Sequence, residues 1–194
     1  MNLSSINDLS LVAQVIAGAT DRAFGRLVDK YQQPVRRFFL HQTLGDRMLS
    51  DDLAQDTFIR AYRSIRQFQQ LSSFKTWLMS IAYHVWQDHL RKKERTLSPA
   101  LPLYGEGGRE EDRMDTLPIE GEGWGEGQLV SMDIYTALRQ LTDIERTCVT
   151  LFYIDDLSGD RISQITGLPP ATVRSHIHRG KQRLSSFLKQ NGYG

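Results

Sequence analysis

Cysteine is nearly absent. Cys148 is the only one in 194 residues, which excludes an intramolecular disulfide and a Cys-rich zinc site. A lone cysteine among apolar neighbours is expected to be a small buried side chain. Long apolar runs are missing too. None approaches the roughly 18–20 residues that span a bilayer, so membrane insertion is not expected. The opening stretch "MNLSSINDLSLVAQVIAG" carries Asp8 and no basic residue, unlike a secretory signal. A cytoplasmic protein is expected. No HExxH, no phosphate-cradling glycine loop and no nucleophile beside an obvious base is present. The glycines between 105 and 127 alternate with acids, which repel phosphate. His176 and His178 are two apart and diverge on a helix, so they do not make a metal pair. An enzyme is therefore not expected, and neither is a cofactor or a metal. No alternating strand pattern and no internal repeat is found.

Charge is present but unevenly placed. The formal net charge is only +1. From Arg161 to the C-terminus there are six basic residues and no acid, a net +6, whereas from Thr96 to Gln128 eight acids face two arginines, a net −6. A near-neutral total thus hides an acidic middle and a basic end. The acidic stretch, "SPALPLYGEGGREEDRMDTLPIEGEGWGEGQ", is rich in Gly and Pro and has neither helical nor strand period. It reads as an extended or disordered linker, too long for a loop inside one domain.

Both flanks read as helices. In the first, Leu9, Val12, Val15 and Ile16 recur at helical spacing and Gly18 is a stop. A second helix carries Phe24, Leu27, Val28 and Tyr31 on one side, with Pro34 expected to kink or restart it. A third, "SDDLAQDTFIRAYRSI", has Ser50 or Asp51 as cap. Its expected buried stripe is Ala54, Phe58, Ala61, Tyr62 and Ile65. A fourth, "SSFKTWLMSIAYHVWQDHLRKKER", buries Phe74, Leu78, Ile81, Ala82 and Val85. It ends in a basic tail and carries Trp77, Tyr83 and Trp86 in apparent excess of what a core requires. Aromatics beside cations suit unstacked bases, although core or subunit contacts explain the tryptophans equally well.

Helical period resumes near Met132. Thr142 and Glu145 form a capping-box pattern. A short helix with Ile162 and Ile165 then meets Gly167, suited to a sharp turn, and Pro170, suited to a first helical position. The last helix turns Val173, Ile177, Gly180, Leu184 and Phe187 inward and Arg174, Ser175, His178, Arg179 and Lys181 outward. Two helices, a glycine turn and a basic second helix spell a DNA-binding helix-turn-helix; the plainer alternative is a helical hairpin with a solvated basic face.

"SDDLAQDTFIRAYRSI" with "SSFKTWLMSIAYHVWQDHLRKKER" resembles the second conserved region of bacterial sigma factors. "LTDIERTCVTLFYIDDLSGDRISQITGLPPATVRSHIHRGKQRL" resembles the fourth. The two together, without a third domain, resemble the extracytoplasmic-function (ECF) group of the sigma-70 family. The resemblance implies an all-α chain of two small helical domains, 1–95 and 132–194, joined by a flexible acidic linker at 96–131. It implies binding of core RNA polymerase through Asp51, Asp52, Gln55, Asp56, Ile59, Arg60 and Arg63. It implies opening of the proximal promoter element, and capture of its bases, by the loop "RQFQQLSS" and by Lys75, Thr76, Trp77, Ser80, Tyr83, His84, Gln87, Asp88 and Arg91. The distal element would be read by Pro170, Ala171, Thr172, Arg174, Ser175, His178, Arg179 and Lys181. An anti-sigma factor is also implied as a partner. His84 stands where the family usually has Asn, Ser80 where it often has Arg, and Pro169 where a hydroxyl or carboxyl cap is usual, so no promoter sequence is carried over.

The rival is an autonomous helix-turn-helix regulator, which would bind its operator without polymerase and would leave "DDLAQD" and "SFKTWL" without a role. The acidic linker has two readings: a solvated tether, or an RNA mimic in a basic polymerase channel whose displacement couples transcript length to promoter release.

Overall fold

The computed structural model describes residues 3–18, 20–97 and 134–192. Its helices are α1 (Leu3–Ile16), α2 (Thr20–Gln42), α3 (Arg47–Ser64), α4 (Phe74–Leu97), α5 (Asp143–Tyr153), α6 (Gly159–Thr166) and α7 (Pro170–Gln190), with a 3-10 turn at Ile65–Gln67 and a short helical segment at 134–138. No strand occurs among the described residues. The expected linker lies outside them except for Thr96 and Leu97, which continue α4 two residues beyond the expected boundary.

The first four helices pack around Leu27, Val35, Phe38, Phe39, Leu78 and Met79, all shut off from solvent. α1 is tied to α2 by Asp8, a buried carboxylate that accepts from Lys30 Nζ at 2.5 Å and Tyr31 Oη at 2.6 Å. Burial, then the bond to Asp8, pushes the Tyr31 phenol well above its usual pKa. Gly18, at φ +102°, follows the end of α1 as expected, but Ile16 is exposed and Leu11 takes its place inside.

α2 is not restarted by Pro34; it runs unbroken through it. Proline forfeits one backbone donor, and the burial of Val35, Phe38 and Phe39 on the next turn outweighs that loss. α3 begins earlier than expected. Its cap is Asp46, whose side chain accepts from Leu49 N at 2.9 Å, not Ser50 or Asp51. Ser50 is instead buried and donates to the Asp46 carbonyl. Tyr62 also departs from expectation: it is 43% exposed, with its ring edge against Phe24 at 5.0 Å. Leu53 and Thr57 fill the stripe in its stead.

The second helical group follows the sequence closely. Thr142 and Glu145 exchange both capping-box bonds. Gly167 closes α6 in the left-handed conformation at φ 72°, and Pro170 opens α7. Cys148 is buried, and burial pushes its thiol up to about 12. α7 crosses α5 at Gly180, where an added Cβ would stand 2.5 Å from Val149 Cγ2. That methyl sits on a short β-branched side chain with little freedom to retreat. Gly180→Ala is therefore expected to cost about 1–3 kcal/mol through overpacking, read as a lower thermal midpoint, although alanine is the better helix former.

The two groups share one apolar core. Cys148, Leu151, Ile162, Ile165, Val173 and Ile177 join the same buried cluster as Leu27, Phe38 and Leu78. α2 and α4 pack against α5 and α6. Residues 145–151 of α5 are buried on every side, because the helix lies between the first group and α7.

Candidate nucleic-acid interface

Surfaces left out of this core are where a partner can be met. α3 offers the first. Asp52, Gln55, Ile59 and Arg63 are exposed and recur at helical spacing. Ile59 is 42% exposed among polar neighbours, an apolar residue with no duty in the core. Asp52 makes no ion pair or hydrogen bond among the described residues. Asp51, by contrast, pairs with Arg36 of α2 through both carboxylate oxygens, and that hydrogen bond pulls its carboxyl below the usual range. Asp56 is half-buried and holds Arg60 at 2.9 Å.

Arg60 joins this face to the next. Its other nitrogen meets Asp88 of α4 at 2.6 Å, and Asp88 also accepts from Arg91. The bond from Arg60 first, and that from Arg91 second, hold the Asp88 carboxyl below its ordinary pKa. All three groups are at least one-third open to water or nearly so. The network therefore orients side chains rather than adding much stability.

α4 begins at a serine cap. Ser73 Oγ accepts from Thr76 N at 3.1 Å and contacts Thr76 Oγ1 at 2.9 Å. The residues expected to meet the proximal promoter then divide. Trp77, Ser80, His84, Gln87, Asp88 and Arg91 follow one face at helical spacing, half-buried to exposed. Lys75 is half-buried beside them. His84 Nδ1 lies 2.6 Å from the Ser80 carbonyl, which fixes the ring at the surface. Trp77 is anchored by Phe68 and Phe74, with centroids at 5.3 and 5.5 Å. Thr76 and Tyr83 lie on the neighbouring face and are buried, at 4% and 8% exposure. Trp86 is buried as well and stacks on His89 at 5.5 Å. Two of the three aromatics that looked surplus in the sequence thus serve packing here. Ahead of α4, Gln70 takes a left-handed backbone at φ 59° and Leu71 is 86% exposed.

The third surface is α7. Pro170, Ala171, Arg174, Ser175, His178 and Lys181 are exposed, and Thr172 is half-buried at the edge. Ala171, Arg174, His178 and Lys181 form one continuous stripe. Arg174 and Lys181 make no ion pair among the described residues and are available to phosphates or base edges. Arg179 leans away. Its guanidinium stands 3.6 Å from the buried Glu145 carboxylate and 3.1 Å from His176 Nδ1, and Arg183 completes that pair at 2.8 Å. The Glu145 contacts were invisible in the sequence, because they join positions 34 and 38 residues away on another helix.

Among the described residues no cluster of His, Cys, Asp and Glu could hold a metal ion, and no helix is long and apolar enough to cross a membrane.

Comparison with known proteins gives the family. Residues 27–96 match the family described as Sigma-70 region 2, and residues 131–184 match Sigma-70, region 4. The chain is 34% identical over 183 residues to the ECF RNA polymerase sigma factor SigW of Bacillus subtilis, covering 92% of this chain and 95% of that one. It is 30% identical over 189 residues to the ECF RNA polymerase sigma factor SigC of Mycobacterium tuberculosis, covering 95% and 94%. In fold it is similar to CnrH, solved in complex with the cytosolic domain of CnrY, at a TM-score of 0.69, 22% identity and coverage of 96% and 99%. It is similar in the same way to the sigma factor RpoE of Bartonella quintana, solved with the anti-sigma factor NepR, at a TM-score of 0.65, 22% identity and coverage of 86% and 96%. The chain belongs to the sigma-70 family and is an alternative RNA polymerase sigma factor of the extracytoplasmic-function group.

Proposed function

We propose that this sigma factor divides its work among the three exposed faces. Residues 1–95 engage core polymerase through the α3 face and the proximal promoter element through α4 and the loop before it. Residues 132–194 read the distal element with the start of α7, and residues 96–131 connect the two. The work is binding rather than catalysis, is done in the cytoplasm and requires no cofactor. Capturing an unstacked base offsets the few kcal/mol of unstacking. An anti-sigma factor is the expected inhibitory partner, as RpoE of Bartonella quintana, similar in fold, was solved with the anti-sigma factor NepR. The observation that carries the reading is the basic stripe of α7, without an ion pair at Arg174 or Lys181 among the described residues, on a helix-turn-helix in one chain with the open Trp77–Arg91 face of α4.

The reading is tested by adding the purified protein to core polymerase on a fragmented genomic library and sequencing the transcripts. A defined set of new start sites supports it; operator binding without polymerase would favour an autonomous regulator. On a promoter so found, Arg174→Ala is expected to weaken holoenzyme binding by about 1–3 kcal/mol if the guanidinium grips a base edge. Arg179→Ala should cost less affinity and some stability, because Arg179 supports Glu145. His84→Ala should leave initial binding intact and slow opening, seen as weaker permanganate reactivity of the opened strand. His84 is the cleaner test, since replacing Trp77 also loosens the cluster with Phe68 and Phe74.

A further inference from the structure

The open face of α4 and the loop before it rest on an aromatic cluster. Phe68 closes the 3-10 turn and Phe74 begins α4. Both are buried, and their rings meet edge to face at 5.8 Å. Trp77 stands 5.3 Å from the first and 5.5 Å from the second. The three rings thus contact one another at separations typical of aromatic pairs. The loop between Phe68 and Phe74 is pinned at both ends, and Gln69, Gln70 and Leu71 are held out in water. Trp77, half-buried, carries the same triangle onto the surface of α4.

A fourth ring joins this triangle from α2. The buried Tyr31 lies 5.5 Å from Phe74 with the planes at 47°. Its hydroxyl donates to Asp8 Oδ2 of α1 at 2.6 Å, across 23 residues. Lys30 Nζ holds the other carboxylate oxygen and stands 5.2 Å from the centre of the Tyr31 ring. α1 also packs directly on the 3-10 turn and on α4. A line of direct contacts therefore runs from Asp8 through Tyr31 and Phe74 to Trp77. A buried carboxylate is an expensive way to attach a helix, because its charge must leave water. For packing alone, an apolar residue of similar size serves at least as well, and Leu11, Val12 and Val15 already fasten α1 to the core. What Asp8 adds is direction. A buried polar network whose members are satisfied specifies one arrangement, and the bond to Tyr31 fixes where that ring stands against Phe74.

We propose that α1 is a brace for promoter opening: Asp8, acting through Tyr31 and Phe74, is a positioning residue that holds Trp77 and the loop at 68–74 in the geometry that receives unstacked bases. The proposal rests on the reading that this face of α4 meets single-stranded DNA. A binding site works when the residues behind it lock the ones that touch the ligand. Losing the Asp8–Tyr31 bond lowers the fraction of molecules whose cluster is correctly placed, and the apparent strength of base capture falls with that fraction. The outer faces of α3 and α7 are untouched by the change.

The test uses full-length variants assembled with core polymerase, at a promoter found by the transcript sequencing above. Asp8→Ala removes both bonds. Tyr31→Phe keeps the ring and removes one hydroxyl. Asp8→Asn keeps an amide oxygen for the phenol and gives up only the charge opposite Lys30. Leu141→Ala, in the separate cluster with Leu138 and Val149, supplies a destabilised protein whose aromatic cluster is intact. At saturating holoenzyme, Asp8→Ala and Tyr31→Phe should open the promoter about tenfold more slowly, the factor for one lost charge-assisted hydrogen bond. Initial binding should be unchanged. Asp8→Asn should recover most of the rate, and Leu141→Ala should open at the wild-type rate despite its lower melting midpoint. Opening that follows the melting midpoint, with Leu141→Ala as slow as Asp8→Ala, overturns the brace. Wild-type opening in Tyr31→Phe also overturns it, and that variant decides alone if Asp8→Ala does not fold. Fluorine NMR of the free chain carrying fluorinated tryptophan reads the placement directly, with the Trp77 signal assigned by its loss in Trp77→Phe. Tyr31→Phe should shift or broaden this signal and leave that of Trp86, farther along α4, in place; an unmoved Trp77 signal overturns the brace even where opening is slow. Failure of the reading beneath it has a separate signature. Slow opening in His84→Ala with normal opening in Asp8→Ala and Tyr31→Phe overturns the brace and keeps the reading, whereas normal opening in both Trp77→Ala and His84→Ala overturns both.

Discussion

Replacing Arg146 with methionine is expected to destabilise the protein by about 3–5 kcal/mol, the cost of removing one partner from a buried charged network. The residue is buried at 7% exposure, yet its guanidinium serves four acceptors. Nε donates to the Leu138 carbonyl at 3.2 Å, Nη2 to the Leu141 carbonyl at 3.2 Å, and Nη1 to the Gln42 carbonyl at 2.8 Å and the Asp143 carboxylate at 3.1 Å. Burial lowers the guanidinium pKa and Asp143 opposes the shift; at neutral pH the group remains charged. Methionine keeps the apolar stem and removes every donor, so three backbone carbonyls lose a partner at about 1–3 kcal/mol each where no water can reach them. Partial relaxation brings the sum down to the stated range. For a chain of this size that corresponds to a fall of about 10 °C in thermal midpoint. Arg146→Lys should recover part of the loss, since an ammonium reaches fewer of the four acceptors than a planar fork. A melting curve within a degree or two of wild type would show that the carbonyls find other donors.

Arg146 also shows why the sequence was legible in some places and opaque in others. Signals confined to a few neighbouring residues were read correctly. Thr142 and Glu145 bond to each other's backbone, Gly167 turns because only the local conformation matters, and Pro170 opens a helix for the same reason. The exposed faces of α3 and α7 were legible too, because polar residues at helical spacing mark a surface wherever the rest of the fold goes. Errors arose where position depends on distant residues. Tyr83 and Trp86 looked surplus because no local pattern shows what packs over them; both are buried in the shared core. Ser50 looked like a cap because an acidic run follows it, whereas Asp46 caps a turn earlier and Ser50 is turned inward. Pro34 looked like a place to kink or restart the helix, and the restart does not occur because the phenylalanines beyond it outweigh one lost hydrogen bond. The sequence "ERTCVTL" in α5 contains two threonines and a buried ion-pairing residue at each of its first two positions. Nothing local says that Arg146, Thr147 and Thr150 face Gln42 more than 100 residues away.

The second large effect is expected in assembly with core polymerase, from Asp52→Lys and Ile59→Asp on α3. Asp51 and Asp56 are poorer probes than the acidic run suggests. Changing Asp51 breaks its pair with Arg36, and changing Asp56 releases Arg60, which also orients Asp88 on α4. Any loss of binding in those variants would mix a lost contact with a rearranged face. Asp52 is exposed and has no partner among the described residues, so its reversal disturbs nothing inside the protein. Ile59 is the apolar centre of the face, where an interface anchor typically contributes about 2–4 kcal/mol. Each substitution alone should therefore weaken assembly by roughly 30-fold or more, and the pair should reduce it below detection in a pull-down with purified core enzyme. Folding should be unaffected, because both side chains project from the surface while Ala54, Thr57 and Ala61 hold the inner stripe. Gln55→Ala, between them, should weaken assembly less, since it removes hydrogen bonds without introducing a charge. The measurement is affinity for core polymerase beside thermal melting of each free variant. Wild-type affinity in Asp52→Lys and Ile59→Asp, with melting unchanged, would remove this face of α3 from the polymerase interface and leave α4 and α7 to be explained without it.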